Sequence, residues 1–339
     1  MRYPDVTKPS DLIGDTPLVD VSVAFPSCSA RILAKIEYFN PGLSIKDRIA
    51  AYIVNRAEAD GRLLPGGTII ECSSGNTGIG LAILAAERNY RFVCVMHDKH
   101  SLEKIALLKA YGAEVKVCDG SVDRDHPDSS HSYARRLELE TPGSIWINQY
   151  SNQLNPETHY ATTAPEIWQQ AKQKITHFVA SASTGGTLTG CARFLREKNP
   201  SVQIWAADAY GSALAHYHET GSFDPAVVHS YKAENVGKKF IPETLDFSTV
   251  DAFIKVSDGD AALMARKMAK NHALLLGYSC GAALQVVEQK SYALGPDDVV
   301  VVICPDHGSR YMKTIYNDQW MEEQGFFEPL NVLKRNGSI

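Results

Sequence analysis

Short runs of β-forming residues alternate with helical patterns along most of this chain, and this alternation is the feature that most restricts its fold. The β-rich runs lie at residues 68–72, 91–96, 113–118, 177–181, 203–209, 253–256 and 299–304. The helical patterns lie at residues 47–56, 101–111, 187–198 and 260–272, and a further one follows the run at 68–72 and continues to about residue 88. Strands that alternate with helices form parallel βαβ units. The sequence therefore predicts an α/β fold with twisted, mostly parallel sheets flanked by helices.

The length of the chain favours two lobes. With 339 residues and 44% hydrophobic content, it exceeds the size at which a single core keeps growing. Two α/β sets, separated near the middle of the sequence, fit that expectation. A cleft between two lobes is a common place for a small-molecule site.

Charge and hydropathy exclude several classes of partner. The net charge is −5 with both signs interspersed, which argues against a nucleic-acid-binding protein. No apolar stretch approaches the roughly 20 residues of a membrane helix. The first residues, Met-Arg-Tyr-Pro-Asp, have no apolar signal-peptide core. We expect a soluble, cytoplasmic protein that acts on small molecules.

Seven cysteines are scattered along the chain without the spacing of a metal site or a disulfide framework. Most of them lie in apolar or strand-like runs. We expect them to be small buried hydrophobic residues in a reducing compartment, and we expect no metal.

Lys46 and two serine- and glycine-rich turns form the pattern that points to chemistry. Lys46 precedes the helical pattern at 47–56, and a helix N-terminus disfavours the ammonium form, which predicts a lowered amine pKa. The turns at 73–78 and 183–187 each join a strand to a helix, where backbone N–H groups converge on anions. A lysine alone is usually a solvated surface residue. A lysine with an anion-binding turn and a polar ring partner meets the needs of pyridoxal phosphate.

Four segments resemble the fold-type II family of pyridoxal-phosphate enzymes, which holds cysteine synthase and cystathionine β-synthase. They are the run Asn-Pro-Gly-Leu-Ser-Ile-Lys-Asp-Arg at 40–48, both turns, and Gly-Tyr-Ser-Cys-Gly at 277–281. The resemblance extends over nearly the whole chain. It implies that Lys46 is catalytic and binds the cofactor covalently. It implies further cofactor contacts from Asn76, Ser183, Thr184, Gly185, Gly186, Thr187 and Ser279. It implies substrate contacts from Ser73, Ser74, Gly75, Thr77, Gln149 and Gly237.

The same resemblance implies how the chain is divided. A larger cofactor-binding lobe would hold residues 1–42 and 151–330, a smaller mobile lobe residues 43–150, and a tail residues 331–339. A homodimer is expected. Because the sequence ends at Ile339 and has no Cys/His pair near its start, we expect neither the nucleotide-binding regulatory module nor the haem of longer relatives.

The resemblance also suggests the reaction. A serine at position 279 would leave the cofactor ring a weaker electron sink than an aspartate would, and this favours loss of a β-substituent. The segments at 126–137, 148–152, 305–312 and 317–326 look like the core of cystathionine β-synthase. We expect serine or O-acetylserine to condense with homocysteine to give cystathionine.

Other hypotheses about the reaction stay open. The chain could use O-acetylserine and sulfide as a cysteine synthase, or form lanthionine or hydrogen sulfide from cysteine. A serine dehydratase ranks below these, and so does a non-catalytic scaffold. Four positions depart from the family pattern: Asn235 and Val236 in the loop that shapes the second-substrate pocket, and Tyr278 and Cys280 beside the predicted ring partner. Asn235 replaces a glycine, so the path of its loop or the thiol acceptor could differ.

Overall fold

The computed structural model describes residues 6–73, 75–98, 102–122 and 124–327. Its strands are β1 (Leu18–Asp20), β2 (Arg31–Ile36), β3 (Thr68–Cys72), β4 (Arg91–His97), β5 (Glu114–Cys118), β6 (Ser144–Trp146), β7 (His177–Ser181), β8 (Gln203–Ala209), β9 (Ala252–Val256) and β10 (Val299–Cys304). Its helices are α1 (Lys46–Ala59), α2 (Asn76–Arg88), α3 (Leu102–Ala110), α4 (Ser130–Glu140), α5 (Leu154–Thr158), α6 (Ala164–Gln170), α7 (Gly186–Lys198), α8 (Leu214–Thr220), α9 (Asp258–His272), α10 (Tyr278–Lys290) and α11 (Asp318–Glu323).

The strands form two sheets within the described ranges. The larger sheet has the order β1-β2-β10-β7-β8-β9, and all its neighbours are parallel except β1 and β2. The smaller sheet has the order β5-β4-β3-β6 and is parallel throughout. The α/β class with two mostly parallel sheets is confirmed. The division into lobes at residues 42/43 and 150/151 stays a prediction, and the predicted tail at 331–339 lies outside the described residues.

Strand β10 shows why the larger sheet is buried on both faces. Its alternate residues enter different cores: Val300, Val302 and Cys304 pack with α9 and α10, whereas Val301 and Ile303 pack with α6 and α7. A strand covered by helices on both faces needs a continuous apolar run rather than an alternating one. The sequence Val-Val-Val-Val-Ile-Cys supplies that run.

Most predicted elements have the predicted bounds to within two residues. Strands β3, β7, β8 and β10 begin and end as predicted, and α3 stops before Gly112, whose φ of +85° is the left-handed conformation expected there. All seven cysteines are free, and four of them are buried. No helix in the described part of the chain is long and apolar enough to cross a membrane.

Candidate active site

One pocket collects most of the predicted cofactor residues. It is lined by Ile45, Lys46, Asn76, Ser181, Ser183, Thr184, Gly185, Thr187, Leu188, Asn235, Ser279 and Pro305. Four helices, α1, α2, α7 and α10, begin at or next to these residues. Strands β7 and β10 end there. Carboxyl ends of parallel strands and helix N-termini are the usual setting for anionic ligands in α/β folds.

Lys46 is the first residue of α1, and its side chain is half-buried against the pocket. Its pKa is lowered to about 8, first by desolvation and then by the positive charge of Lys238, while the nearby Asp306 opposes the shift. The sequence predicted a lowered pKa from the helix end. The structure gives burial as the main cause. A larger fraction of neutral amine at physiological pH makes this nitrogen a competent nucleophile and base.

The turn after β7 has no room for side chains at its glycines. Gly185 has a φ of +89°, and a Cβ atom there would lie 2.6 Å from Cα of Leu245. Gly186 opens α7 with the amide of Asn155 packed against it, and it does not line the pocket. Backbone N–H groups at this turn can therefore face an anion without obstruction.

Asn155 and His159 support this turn, and the sequence analysis gave neither of them a role. The Asn155 amide donates to Thr184 Oγ1 at 3.2 Å. The ring of His159 contacts Thr187 Oγ1 at 3.2 Å. Burial holds the pKa of His159 well below its usual value, so the ring is neutral. The signal available in the sequence was the polar run after Gln149, which includes Asn155.

Asn76 belongs to a hydrogen-bonded chain that the sequence did not reveal. Its amide donates to Asp306 Oδ2 at 2.8 Å, and the Tyr311 hydroxyl donates to the same oxygen at 2.7 Å. The amide of Asn235 in turn donates to the Tyr311 oxygen at 3.2 Å. Burial raises the pKa of Asp306. This chain connects the start of α2 with the loop at 234–237.

Ser279 lines the pocket at the start of α10, and its hydroxyl is a buried group without a partner. The residue is 1% exposed, and Oγ has no hydrogen-bond partner within the described ranges. Tyr278 and Cys280 do not line the pocket: the Tyr278 hydroxyl donates to the carbonyl of Asp258, and Cys280 Sγ contacts the carbonyl of Asp306. An unpaired buried hydroxyl that faces a pocket is suited to a ligand atom.

Four of the predicted substrate residues, Ser73, Gly75, Thr77 and Gln149, lie next to Asn76 or bond to its neighbour, and the structure pairs them with one another. The fifth described residue, Gly237, packs instead against Ser212. Ser73 Oγ accepts from the Gly75 N–H at 3.3 Å. Thr77 Oγ1 donates to Gln149 Oε1 at 2.7 Å. None of these four residues is among those that line the pocket, and Ser74 lies outside the described residues.

The loop at 234–237 keeps the backbone shape of a glycine-containing turn. Asn235 has a φ of +62° and Gly237 a φ of +69°. Asparagine tolerates the left-handed region better than other non-glycine residues, so the substitution does not by itself demand a new loop path. Val236 is buried, whereas Asn235 is exposed and lines the pocket. Position 235 therefore presents a side-chain amide to a ligand that enters the pocket.

Comparisons with known proteins agree with this geometry. A family profile described as "Pyridoxal-phosphate dependent enzyme" matches residues 9–306. The chain is 43% identical to cystathionine beta-synthase from Oryctolagus cuniculus over 318 residues, which are 93% of this chain and 57% of that protein. It is 39% identical to a probable cysteine synthase from Bacillus subtilis (strain 168), over 93% of this chain and 98% of that one. The solved structure of an O-ureido-L-serine synthase superposes with a TM-score of 0.84 at 33% identity, covering 94% of this chain and 100% of that one.

Proposed function

The chain belongs to the family of pyridoxal-phosphate dependent enzymes, and from this premise we propose that it joins serine or O-acetylserine to homocysteine, giving cystathionine by β-replacement. The observation that carries the β-replacement is the buried, unpaired hydroxyl of Ser279 in the pocket. A neutral hydroxyl beside the ring nitrogen favours loss of a β-substituent over transamination. The likeness to cystathionine beta-synthase supports homocysteine as the acceptor.

The residues present fit the cofactor. The half-buried amine of Lys46 suits a covalent bond to an aldehyde, and Leu245 packs where a Cβ atom of residue 185 would lie, so this turn accepts only a glycine and its backbone N–H groups stay unobstructed. The unpaired oxygen of Ser279 suits the ring nitrogen, and Asn76 faces the same pocket. When bound, pyridoxal phosphate withdraws electrons from the α-carbon of an amino-acid substrate and so weakens its C–H bond.

Lys46 is the residue that moves protons in this proposal. With the donor amino acid bound, the neutral Nζ of Lys46 would accept the α-proton. The resulting ammonium then donates a proton to the departing β-oxygen. A pKa of about 8 allows Lys46 both to accept and to donate a proton, since it lies close to physiological pH. Hydroxide is the poorer leaving group, so serine would need this proton more than O-acetylserine would.

The group of Ser73, Thr77 and Gln149 is proposed to hold the α-carboxylate of the donor. Thr77 and Gln149 are buried and bonded to each other, so their polar atoms lie in fixed positions. A carboxylate that enters would exchange the Thr77–Gln149 hydrogen bond for two bonds to itself. Ser74 and Gly75 are proposed to add to this group, and Gly237 to shape the space for the thiol.

Sulfide is the second candidate acceptor, because the chain is similar to a probable cysteine synthase over 98% of that protein. A competition experiment separates the two. Purified holoenzyme receives serine and O-acetylserine with homocysteine, sulfide and cysteine at equal concentrations, and mass spectrometry identifies the products. We expect cystathionine to dominate. Dominant cysteine would make the protein a cysteine synthase, dominant lanthionine would make cysteine the acceptor, and pyruvate alone would make it a dehydratase.

The assembly and location expected from the sequence remain part of this proposal. The chain spans 57% of the length of the mammalian cystathionine beta-synthases that it matches, so their further properties are not carried over. A homodimer in the cytoplasm is proposed. Light scattering of the purified protein tests the dimer, since a monomer would have a mass of 37.2 kDa.

A further inference from the structure

Lys238 follows the loop at 234–237, and its backbone is held in place on both sides. Its N–H donates to Ser212 Oγ at 2.9 Å. Its carbonyl accepts from the Ala213 N–H at 2.8 Å and from the Ser212 hydroxyl at 3.1 Å. These three hydrogen bonds fix the backbone of Lys238 and therefore the direction in which its side chain leaves the backbone.

The side chain of Lys238 lies over Tyr150, and Lys238 itself follows the pocket-lining Asn235 by three residues. Its ammonium lies 5.3 Å from the ring centroid of Tyr150, the residue after Gln149. The backbone carbonyl of Tyr150 accepts hydrogen bonds from Thr244, whose hydroxyl also donates to the carbonyl of Thr184 in the turn at 183–187. The charge of Lys238 contributes to the lowered pKa of Lys46. The ammonium of Lys238 is therefore close enough to influence the charge of Lys46.

No carboxylate in the described part of the chain forms an ion pair with Lys238. By contrast, Lys104 is paired with Glu234, and Lys255 is paired with Asp208. Lys238 is half-buried, and partial burial of a charge without a counter-ion is unfavourable. Such an ammonium is suited to an anion that arrives with a ligand.

A second cation, Arg124, adds positive charge near Tyr150. The rings of Tyr150 and Phe240 meet edge to face at 5.2 Å, and the guanidinium of Arg124 lies 4.6 Å from the Phe240 centroid. Arg124 also contacts His131, and burial together with the Arg124 charge lowers the pKa of His131. Among the described residues Arg124 has no acidic partner either. The aromatic pair thus lies between two cations that form no ion pair with an acid among the described residues.

We infer that Lys238 determines substrate specificity by binding an anionic group other than the α-carboxylate of the donor. The shared chemistry is an oxyanion, and it has two sources: the phosphate of a phosphorylated serine donor, or the carboxylate of a thiol acceptor. This inference rests on the proposed β-replacement. In either case the Cβ–O bond breaks with its electron pair leaving on oxygen, and the Cβ–S bond forms, so no oxidant or reductant is needed.

The test compares substrates that differ in one charge. In the donor arm, O-phosphoserine is compared with O-acetylserine, using 2-mercaptoethanol as the acceptor. In the acceptor arm, 3-mercaptopropionate is compared with 2-mercaptoethanol, using O-acetylserine as the donor. The variants are Lys238→Gln and Lys238→Arg. Lys239→Gln is the matched control, because Lys239 is an exposed neighbour whose ammonium lies 6.0 Å from the Tyr231 ring.

We expect Lys238→Gln to lower the ratio of kcat/KM for the anionic member to kcat/KM for the neutral member by about 10-fold or more in at least one arm. This ratio cancels the change in the Lys46 pKa, which affects both members alike. Lys238→Arg should recover most of the loss, and Lys239→Gln should behave as wild type. The arm that responds identifies the phosphate or the carboxylate as the bound group. Equal losses for neutral and charged substrates would overturn the inference, as would no loss in either arm or reduced cofactor content in Lys238→Gln.

Calorimetric titration keeps this test independent of turnover. Wild-type holoenzyme and Lys238→Gln are each titrated with inorganic phosphate, 3-mercaptopropionate and alanine, none of which carries a β-leaving group on an amino acid. We expect the variant to bind at least one of the two anions about 10-fold more weakly and alanine equally well. Absence of thioether products with every pair would contradict the proposed function only. Identical binding of all ligands by both proteins would contradict the role of Lys238 only.

Discussion

The ammonium of Lys104 lies 2.6 Å from the carboxylate of Glu234, and this ion pair connects two separate parts of the fold. Lys104 belongs to α3, beside the smaller sheet, whereas Glu234 opens the loop that reaches the pocket through Asn235. Lys313 and Glu103 form a second ion pair from the same helix. Helix α3 is therefore tied to the larger-sheet side next to the site.

Breaking this pair should weaken substrate binding more than it weakens the fold. Both side chains are partly exposed, so Lys104→Met should change the free energy of unfolding by only about 0.2–1 kcal/mol. We expect a KM several-fold higher than that of wild type, with a smaller change in kcat and a difference that shrinks in high salt. Lys109→Met is the control, because Lys109 is exposed on the same helix and has no ion-pair partner among the described residues. Equal KM values for the two variants would contradict a role of the pair in binding.

The pKa of Lys46 gives a prediction about cofactor loading. The pKa is lowered to about 8, so the neutral amine that attacks the aldehyde increases as pH rises through about 8. The rate at which the apoprotein binds pyridoxal phosphate should rise between about pH 7 and pH 9 and then level off. With an ordinary lysine, whose pKa is about 10.4, the binding rate would keep rising to about pH 11. Lys238→Gln should move the midpoint upward, since it removes a positive charge.

Absorbance after mixing measures this rate, and borohydride reduction followed by peptide mapping identifies the modified residue. Lys46→Ala is the control and should show no reduced adduct at this position. A midpoint near pH 10 in wild type would contradict the effect of burial on Lys46.

The sequence predicted those elements whose pattern is decided locally. Strand β10 is a continuous apolar run of mostly β-branched residues, and its bounds were right. Helix α10 was not predicted, because it is buried on most of its surface and its apolar residues show no clear period. The burial of α10 is explained only by the three-dimensional structure, in which α9 and the larger sheet pack against it.

The gathering of candidate residues in one pocket was predictable where they follow contiguous motifs. Lys46, Asn76, Thr184 and Ser279 come from four motifs, and all of them line one pocket. The hydrogen bond between Asn76 and Asp306 joins residues 230 positions apart, so no local pattern could reveal it. The cause of the lowered Lys46 pKa also needed three dimensions, since desolvation depends on what packs around the amine.

Ser279→Ala should reduce the stabilisation by the cofactor without lowering the stability of the apoprotein. The Ser279 hydroxyl is buried and unpaired in the described part of the chain, so its removal should leave the apoprotein as stable as wild type or slightly more stable. Saturating cofactor should raise the Tm of wild type more than that of the variant, because only wild type gains a bond to the ring nitrogen. Thermal unfolding with and without cofactor checks both statements. A destabilised apoprotein would mean that the hydroxyl has a protein partner.

Gly185→Ala should impair both folding and cofactor retention. Its φ of +89° already disfavours alanine, and the new Cβ would also collide with Leu245. Gly221→Ala is the control, since Gly221 has a φ of +70° with open space around it, and it should cost about 1 kcal/mol alone. Cofactor content after dialysis and urea unfolding measure the two effects. Equal results for both variants would show that the turn has no special packing requirement.

Asn235 allows the altered loop to be tested without changing its backbone. Asn235→Gly preserves the left-handed φ of +62° and removes only the amide that contacts Tyr311 and faces the pocket. Asn235→Ala also removes the amide but adds backbone strain of about 1 kcal/mol. If the amide contributes to acceptor choice, both variants should shift the ratio of homocysteine to sulfide products by a similar factor, whereas only the alanine variant should lose stability. A changed ratio in the alanine variant alone would mean that the shape of the loop, rather than its amide, selects the acceptor.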